Sequence, residues 1–429
     1  MDMIKRYVQK VKKLVNNIMN NAYVFSVISK VISVGLVLLY SIVYSRYMKA
    51  ELRGVGDVIH SYADMIMLIL CFGIYQAYPY FKKKTGKDIY KEFINLVAGL
   101  FILYAVLAGI VLVIIRPNVE ISIVIILVPL MFAIRQFNYV VLVEKPKIRN
   151  AAQVCLDFFD IVLVLAFVLV TKANYKVCIC YLIVRQLMYF VVAVINLKIK
   201  LRDIRPSVRK AWPYIKFGMI PMITIIMMEI NYKMDVLMLE GFGISKAEIG
   251  VYSLGITLAQ KIWLIPDALK DILLSKLAFG KSTDEVAKIT RISLIIILTF
   301  TFGVAVVGRP AIQLLYGEEY AEAYKVLLIL LVGVVGMVFY KMIYSYNVVN
   351  GLRMVNLFLL GIAALTNVCI NAFVIPEYGI SGAAFASTVS YFVCGISFLI
   401  YFCKKNNVRY SRMLFICKED IVSLRQLIK

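Results

Sequence analysis

Apolar stretches of membrane-helix length recur through the whole chain, separated by short polar connections. Crossing a hydrocarbon layer of ~30 Å takes ~20 mostly apolar residues in a helix. Twelve windows meet that requirement: 22–44, 57–81, 93–115, 121–143, 151–170, 177–197, 217–239, 250–274, 292–314, 326–350, 355–375 and 382–403. The second, eighth and tenth are the most polar. Ahead of the first window, Ile4, Val8, Val11, Leu14 or Val15 and Ile18 recur at helical spacing, opposite Lys5, Lys10, Lys12 and Lys13. This predicts an amphipathic basic segment over 1–21 lying on the inner membrane face. The basic tail 404–429 carries a less regular version of the same pattern.

Composition turns this pattern into a class. A chain of 429 residues would ordinarily suggest two or three soluble domains, but 62% of its residues are apolar and only 17% charged. Soluble chains run nearer ~45–50% and ~25%. The expectation is a multi-pass membrane protein. The net charge of +23 looks at first like a sign of an acidic partner. With both termini inside, however, the inside segments hold 32 basic and 9 acidic residues, whereas the outside loops hold 8 of each and the spans 8 of each. Basic residues gather on the cytoplasmic side of membrane proteins, so the excess orients the chain N-in and C-in and says nothing of cargo. Runs such as Lys82-Lys83-Lys84 then read as topogenic signals and contacts to anionic lipid. No nucleic-acid partner is expected.

Several chemistries drop out. His60 is the single histidine, and metal sites and acid–base catalysis draw on histidine clusters. The eight cysteines (71, 155, 178, 180, 369, 394, 403 and 417) fall within apolar windows or the tail and read as free thiols. No phosphate-binding glycine loop of the G-x-x-x-x-G-K-[ST] type occurs, and no small-residue cleavage site follows the first window. The expectation is no metal and no cofactor, with H+ or Na+ as candidate coupling ions. No external loop exceeds about a dozen residues, too little for an external catalytic domain.

An internal repeat organises the windows. Lys49-Ala50-Glu51-Leu52-Arg53-Gly54-Val55 follows the first, and Lys246-Ala247-Glu248-Ile249-Gly250-Val251 follows the seventh. Each segment precedes a polar second helix. The predicted architecture is all-α, with twelve transmembrane helices in two six-helix lobes, 22–203 and 204–403, related by an axis along the membrane normal. The lobes meet in the basic linker 198–216. Transporters are often built this way, with the substrate path between the lobes.

Charges buried in hydrocarbon cost ~2.5–3.5 kcal/mol on insertion scales, and they persist where they meet water or a partner. Asp57, Lys270, Asp271 and Arg309 lie near window ends, where snorkelling accounts for them. Five cations lie deeper: Lys30, Arg135, Lys233, Lys261 and Lys341. They come from windows one, four, seven, eight and ten, and a cavity lined by them would suit an anionic cargo such as a phosphate. Each also has a plainer reading as a paired structural charge; Glu229 and Lys233, four residues apart on one face, can neutralise each other. The deep acids Asp64, Asp157, Asp160, Glu229 and Asp235 are candidates for ion coupling. Asp157 and Asp160 lie three apart, and pairing with Arg135 or Arg185 is the alternative. Pro129, Pro221 and Pro266 are expected to interrupt the fourth, seventh and eighth helices. Tyr340, Tyr344 and Tyr346 beside Lys341 have the shape to stack on sugar rings.

Taken in order, further segments resemble a known group. Ser45-Arg46-Tyr47-Met48 precedes Gly54 and Gly56, and Lys233-Met234-Asp235 leads to Glu248-Ile249-Gly250-Val251-Tyr252-Ser253 and Pro266. Leu315-Tyr316-Gly317-Glu318-Glu319-Tyr320 and Asn347-Val348-Val349-Asn350-Gly351 follow. Then come Asn367, Asn371 and Ile375-Pro376-Glu377-Tyr378-Gly379-Ile380-Ser381-Gly382-Ala383-Ala384. Over nearly the whole chain this resembles the polysaccharide-unit flippases (Wzx type) of the multidrug/oligosaccharidyl-lipid/polysaccharide (MOP) exporter superfamily. The resemblance implies a MATE-like fold of two six-helix bundles in a V, with helices 1, 2, 4, 7, 8 and 10 lining a central cavity. It also implies movement of undecaprenyl-diphosphate-linked oligosaccharide from inner to outer leaflet by alternating access with ion coupling. Arg46 matches a family-typical arginine at the end of helix 1. Lipid-linked oligosaccharide and membrane lipids are the implied partners, with a polysaccharide polymerase and chain-length machinery as further candidates. The chain departs from the lipid II flippases in having twelve rather than fourteen windows and only Lys30 in helix 1. Two other functions stay in view. A multidrug cation antiporter would want an acidic cavity, and a polysaccharide polymerase or ligase would want a large external loop.

Overall fold

The computed structural model describes residues 22–86, 88–278 and 283–415, and all regular structure among them is helical. The expected amphipathic segment 1–21 and the tail from 416 lie outside the described residues. In chain order the helices are α1 (Ala22–Leu70), α2 (Ile74–Thr85), α3 (Tyr90–Ile115), α4 (Val119–Glu144), α5 (Pro146–Val170), α6 (Tyr175–Leu197) and α7 (Ala211–Gly241). After these come α8 (Lys246–Lys261), α9 (Leu264–Ala278), α10 (Thr283–Tyr316), α11 (Ala323–Val349), α12 (Arg353–Asn406) and the short α13 (Tyr410–Leu414). Local chemistry marks several starts. The Asn118 and Asn174 side chains accept from the backbone N–H of Ile121 and Val177. Ser245 accepts from the Glu248 N–H while donating to its carboxylate. Pro146 occupies the first position of α5, where a missing N–H costs nothing.

Ten helices among the described residues are long and apolar enough to cross a membrane, and the chain is a multi-pass membrane protein. The count differs from twelve separate windows because two pairs of windows run together. α1 has 49 residues and α12 has 54, roughly twice what a ~30 Å layer accommodates. Each contains one residue off the helical path: Lys49 (φ 59°, ψ 176°) in α1 and Gly379 (φ 53°, ψ −132°) in α12. At Gly379 the chain doubles back. Residues eight apart in a straight helix stand ~12 Å from each other, yet a Cβ on Gly382 would lie 2.6 Å from the Val374 carbonyl oxygen.

The polar second and eighth windows are both broken. α1 ends at Leu70 and α2 begins at Ile74, with Phe72 and Gly73 at positive φ between them. Two glycines let this turn sit on the start of α7: a Cβ on Gly73 would come within 2.2 Å of the Gly218 carbonyl oxygen, and one on Gly218 within 2.3 Å of that of Phe72. The Tyr104 hydroxyl donates to the exposed Leu70 carbonyl at 3.0 Å, so the break leaves less backbone unsatisfied in hydrocarbon. The second break, at Ile262 and Trp263, is the one expected from Pro266, whose ring clashes with the carbonyl four residues earlier. The expectation fails at Pro129 and Pro221, which sit inside the continuous α4 and α7.

The chain divides into two compact units. One comprises the residues up to Met48 with Tyr62–Met219; the other is Lys49–Ser61 with the chain from Ile220 onward. Within the second unit the two repeat segments pack against each other. A Cβ on Gly54 would lie 1.8 Å from the Lys246 carbonyl oxygen, and one on Gly250 would lie 2.0 Å from that of Ala50. The two contacts are reciprocal, since each glycine meets the carbonyl of the residue four places before the other. Glycine at both positions lets two helix backbones touch.

Candidate functional site

The break before Pro266 shapes a cavity within the second unit. Where α8 gives way to α9, Trp263 turns inward and is nearly enclosed, with its ring centroid 5.1 Å from Tyr232 of α7 and 5.3 Å from Tyr391 of α12. Lys341 of α11 sits with its ammonium 5.0 Å above the Trp263 ring. Around them lies a cavity of about 520 Å³, lined by α7, α8, α9, α11 and Leu360 of α12. Its polar lining includes Thr224, Thr257, Gln260, Lys261, Asp267, Lys270, Tyr340 and Tyr344.

The electrostatics of this pocket centre on one oxygen. Asp267 Oδ1 accepts from Lys341 Nζ at 2.9 Å and from Lys270 Nζ at 3.2 Å. Lys341 is only 8% exposed, and a buried ammonium without a counter-ion is costly. The buried Trp263 Nε1–H meets no acceptor. Tyr340 directs its hydroxyl at the Met228 sulfur, a weak acceptor, at 3.1 Å. The pocket therefore combines three lysines, one aspartate, donors with poor or absent acceptors and an aromatic wall.

The sequence-predicted cations divide sharply. Lys261 and Lys341 line this cavity. Lys233 does not; it pairs with Glu229 at 3.3 Å, the plainer reading of that couple. Arg135 lies in the first unit, 4.0 Å from the buried Asp64 and over the Tyr75 ring. Lys30 and Arg46 are exposed positions of α1 that do not line this cavity. Sequence reasoning set Lys270 aside as a snorkelling residue and attached nothing to Asp267. The spacing Asp267–Lys270 beside Pro266 was the available signal.

The acids divide too. Asp160 is held by Arg185, which donates through Nε at 3.0 Å and Nη2 at 2.8 Å, and by the Tyr189 hydroxyl at 2.8 Å. Arg185 rather than Arg135 is thus its partner. Asp157 accepts from Gln153 at 2.8 Å and from the Ser33 hydroxyl. Asp235 stands apart. At 0% exposure it accepts from the Tyr252 hydroxyl at 2.6 Å, Asn367 at 3.0 Å, Asn371 at 2.6 Å and the Ser387 hydroxyl. Four neutral donors from α8 and both arms of α12 thus surround one carboxylate of α7, and the buried Asn371 Oδ1 has no partner. Asn367 and Asn371 are four apart in an apolar helix, so their shared face was readable; that it meets Asp235 was not.

The chain matches the family described as polysaccharide biosynthesis protein over residues 94–325. The chain belongs to that family. Among curated proteins nothing matches. Solved structures share the fold. A lipid II flippase MurJ in an inward closed conformation matches with a TM-score of 0.71 at 15% identity, covering 94% of this chain and 91% of that one. An inward-facing multidrug resistance MATE family transporter of the MOP superfamily matches with a TM-score of 0.67 at 14% identity, covering 89% and 98%. A MOP superfamily transporter from Pyrococcus furiosus, described as having a binding pocket of reverse polarity, matches with a TM-score of 0.59 at 14% identity, covering 90% and 95%. The polysaccharide family suggested by the sequence agrees with the family matched, and the fold that the resemblance implied is the one these structures share.

Proposed function

We propose that this protein flips undecaprenyl-diphosphate-linked oligosaccharide repeat units from the inner to the outer leaflet for surface polysaccharide assembly. The observation that carries the reading is buried Lys341 beside Trp263, in a cavity with three lysines to one aspartate. A diphosphate supplies the negative charge that such a lining lacks, and the aromatic wall suits sugar rings. The same excess of lysine argues against a cationic drug as cargo. In this reading the protein is a transporter and not an enzyme. It makes twelve crossings with both ends inside, because α1 and α12 each cross twice about Lys49 and Gly379.

Transport by alternating access needs an energy source, and Asp235 is the assigned coupling site. A buried carboxylate among neutral donors is stabilised by a proton or by a small cation. The orphaned Asn371 Oδ1 adds an oxygen of the kind that Na+ prefers. Lys261→Ala with Lys341→Ala is expected to abolish surface glycan while leaving the protein in the membrane. Normal glycan in that strain refutes the cavity as cargo site. Polymerase and chain-length machinery are the partners that would take up the flipped unit.

A further inference from the structure

The two ends of the Asp267–Lys341 pair differ in their access to water. The Lys341 side chain is 9% exposed and that of Asp267 is 37% exposed. Separating them would strand the ammonium in a low-dielectric pocket, whereas the carboxylate can turn into water at little cost. Asp267 is also the carboxylate that bridges Lys341 to Lys270. It stands in the first turn of α9, directly after Pro266, where intrahelical bonding is incomplete and the helix dipole favours an anion. A phosphate that approaches Lys341 or Lys270 therefore meets a lysine already occupied by this carboxylate.

We infer that Asp267 is a resident competitor for the cargo's phosphate: it holds Lys341 when the cavity is empty, is displaced by the entering anion, and reclaims the lysine on release. The inference rests on the anionic-cargo reading above. Its consequence is specific. A merely structural Asp267 would, on removal, weaken binding or leave it unchanged, whereas a competitor, on removal, makes binding tighter and release slower. The lining supports this balance. Lys261, Lys270 and Lys341 beside Asp267 make the described lining basic enough to receive an anion while Asp267 stays nearby.

The chain has two tryptophans, Trp263 and the exposed Trp212. Trp212→Phe therefore leaves Trp263, directly beneath Lys341, as the sole reporter. Titrating inorganic pyrophosphate into the purified full chain in this background, and following Trp263 emission, measures affinity at the site. Asp267→Asn is expected to bind at least tenfold tighter than its parent, and Asp267→Glu, which keeps the carboxylate, within threefold of it. Asp267→Ser provides a second neutral variant should the asparagine fail to fold. Equal or weaker binding by folded Asp267→Asn or Asp267→Ser, with the parent binding, overturns the competitor and leaves the cargo reading intact. No binding by the parent or by any variant overturns the cargo reading, and the competitor with it.

Discussion

Asn371 donates to the Asp235 carboxylate at 2.6 Å, while its own buried carbonyl oxygen meets no partner. The amide is thus half used, beside a carboxylate that neutral groups alone support among its recorded hydrogen bonds. The proposed coupling ion would act at this carboxylate.

The first prediction follows. The coupling ion should stabilise the wild-type protein by RT ln(1 + [L]/Kd), about 2.7 kcal/mol at one hundred times Kd. Thermal unfolding in Na+ against a large organic cation is expected to show this shift, and Asp235→Asn to lack it. If Na+ produces no shift, the coupling ion is the proton, and an imposed pH gradient should then drive transport in proteoliposomes. Asp235→Asn should abolish driven transport in either case.

Trp263 offers a sharper probe of the cavity than truncation. Trp263→Phe keeps an aromatic ring beneath Lys341 but removes the Nε1–H. A single hydrogen bond contributes about 0.5–1.5 kcal/mol, so cargo binding should weaken by roughly two- to tenfold while the melting temperature barely moves. Trp263→Leu should cost stability as well, because the packing against Tyr232 and Tyr391 goes with it.

The Arg185–Asp160 pair is expected to be structural. Asp160 is nearly buried, and Arg185 reaches it through two nitrogens. Removing one partner of such a pair costs about 3–5 kcal/mol, because the other charge is left alone. Arg185→Met should therefore unfold at clearly lower temperature than wild type. The double variant with Asp160→Asn should recover much of that loss, and a double-mutant cycle measures the coupling.

Gly54 and Gly250 allow the last prediction. A methyl group at either position would enter the carbonyl of the facing segment, at 1.8 and 2.0 Å respectively. Overpacking typically costs about 1–3 kcal/mol, so Gly54→Ala and Gly250→Ala should each lower the unfolding temperature. The two substitutions open the same contact. Their combined effect should be smaller than the sum of the single effects.

Much of the architecture was legible because hydrocarbon imposes a simple rule: a helix crossing it must be apolar for ~20 residues. The apolar windows and the repeat around Gly54 and Gly250 follow from local sequence, whereas of three candidate prolines only Pro266 adjoins a break. The repeat did not reveal that its two copies touch, since that depends on how distant helices are brought together. The site was legible in part. Lys261 and Lys341 were found as deep cations, but depth alone could not separate them from Arg135 or Lys233, which do not line the cavity.

What the sequence determined by itself is one-dimensional: which segments enter the membrane, how the charge orients them, and which polar residues are carried inside. A charge in hydrocarbon is conspicuous in any order of residues. Its role depends on its neighbours, and those come from other helices. Lys341 meets Asp267 from 74 positions away, and Asp235 meets Ser387 from 152. Hydrogen bonds and ion pairs reach only a few ångströms, so tertiary packing alone decided that Asp267 belongs to the cavity and that Asp235 is ringed by neutral donors.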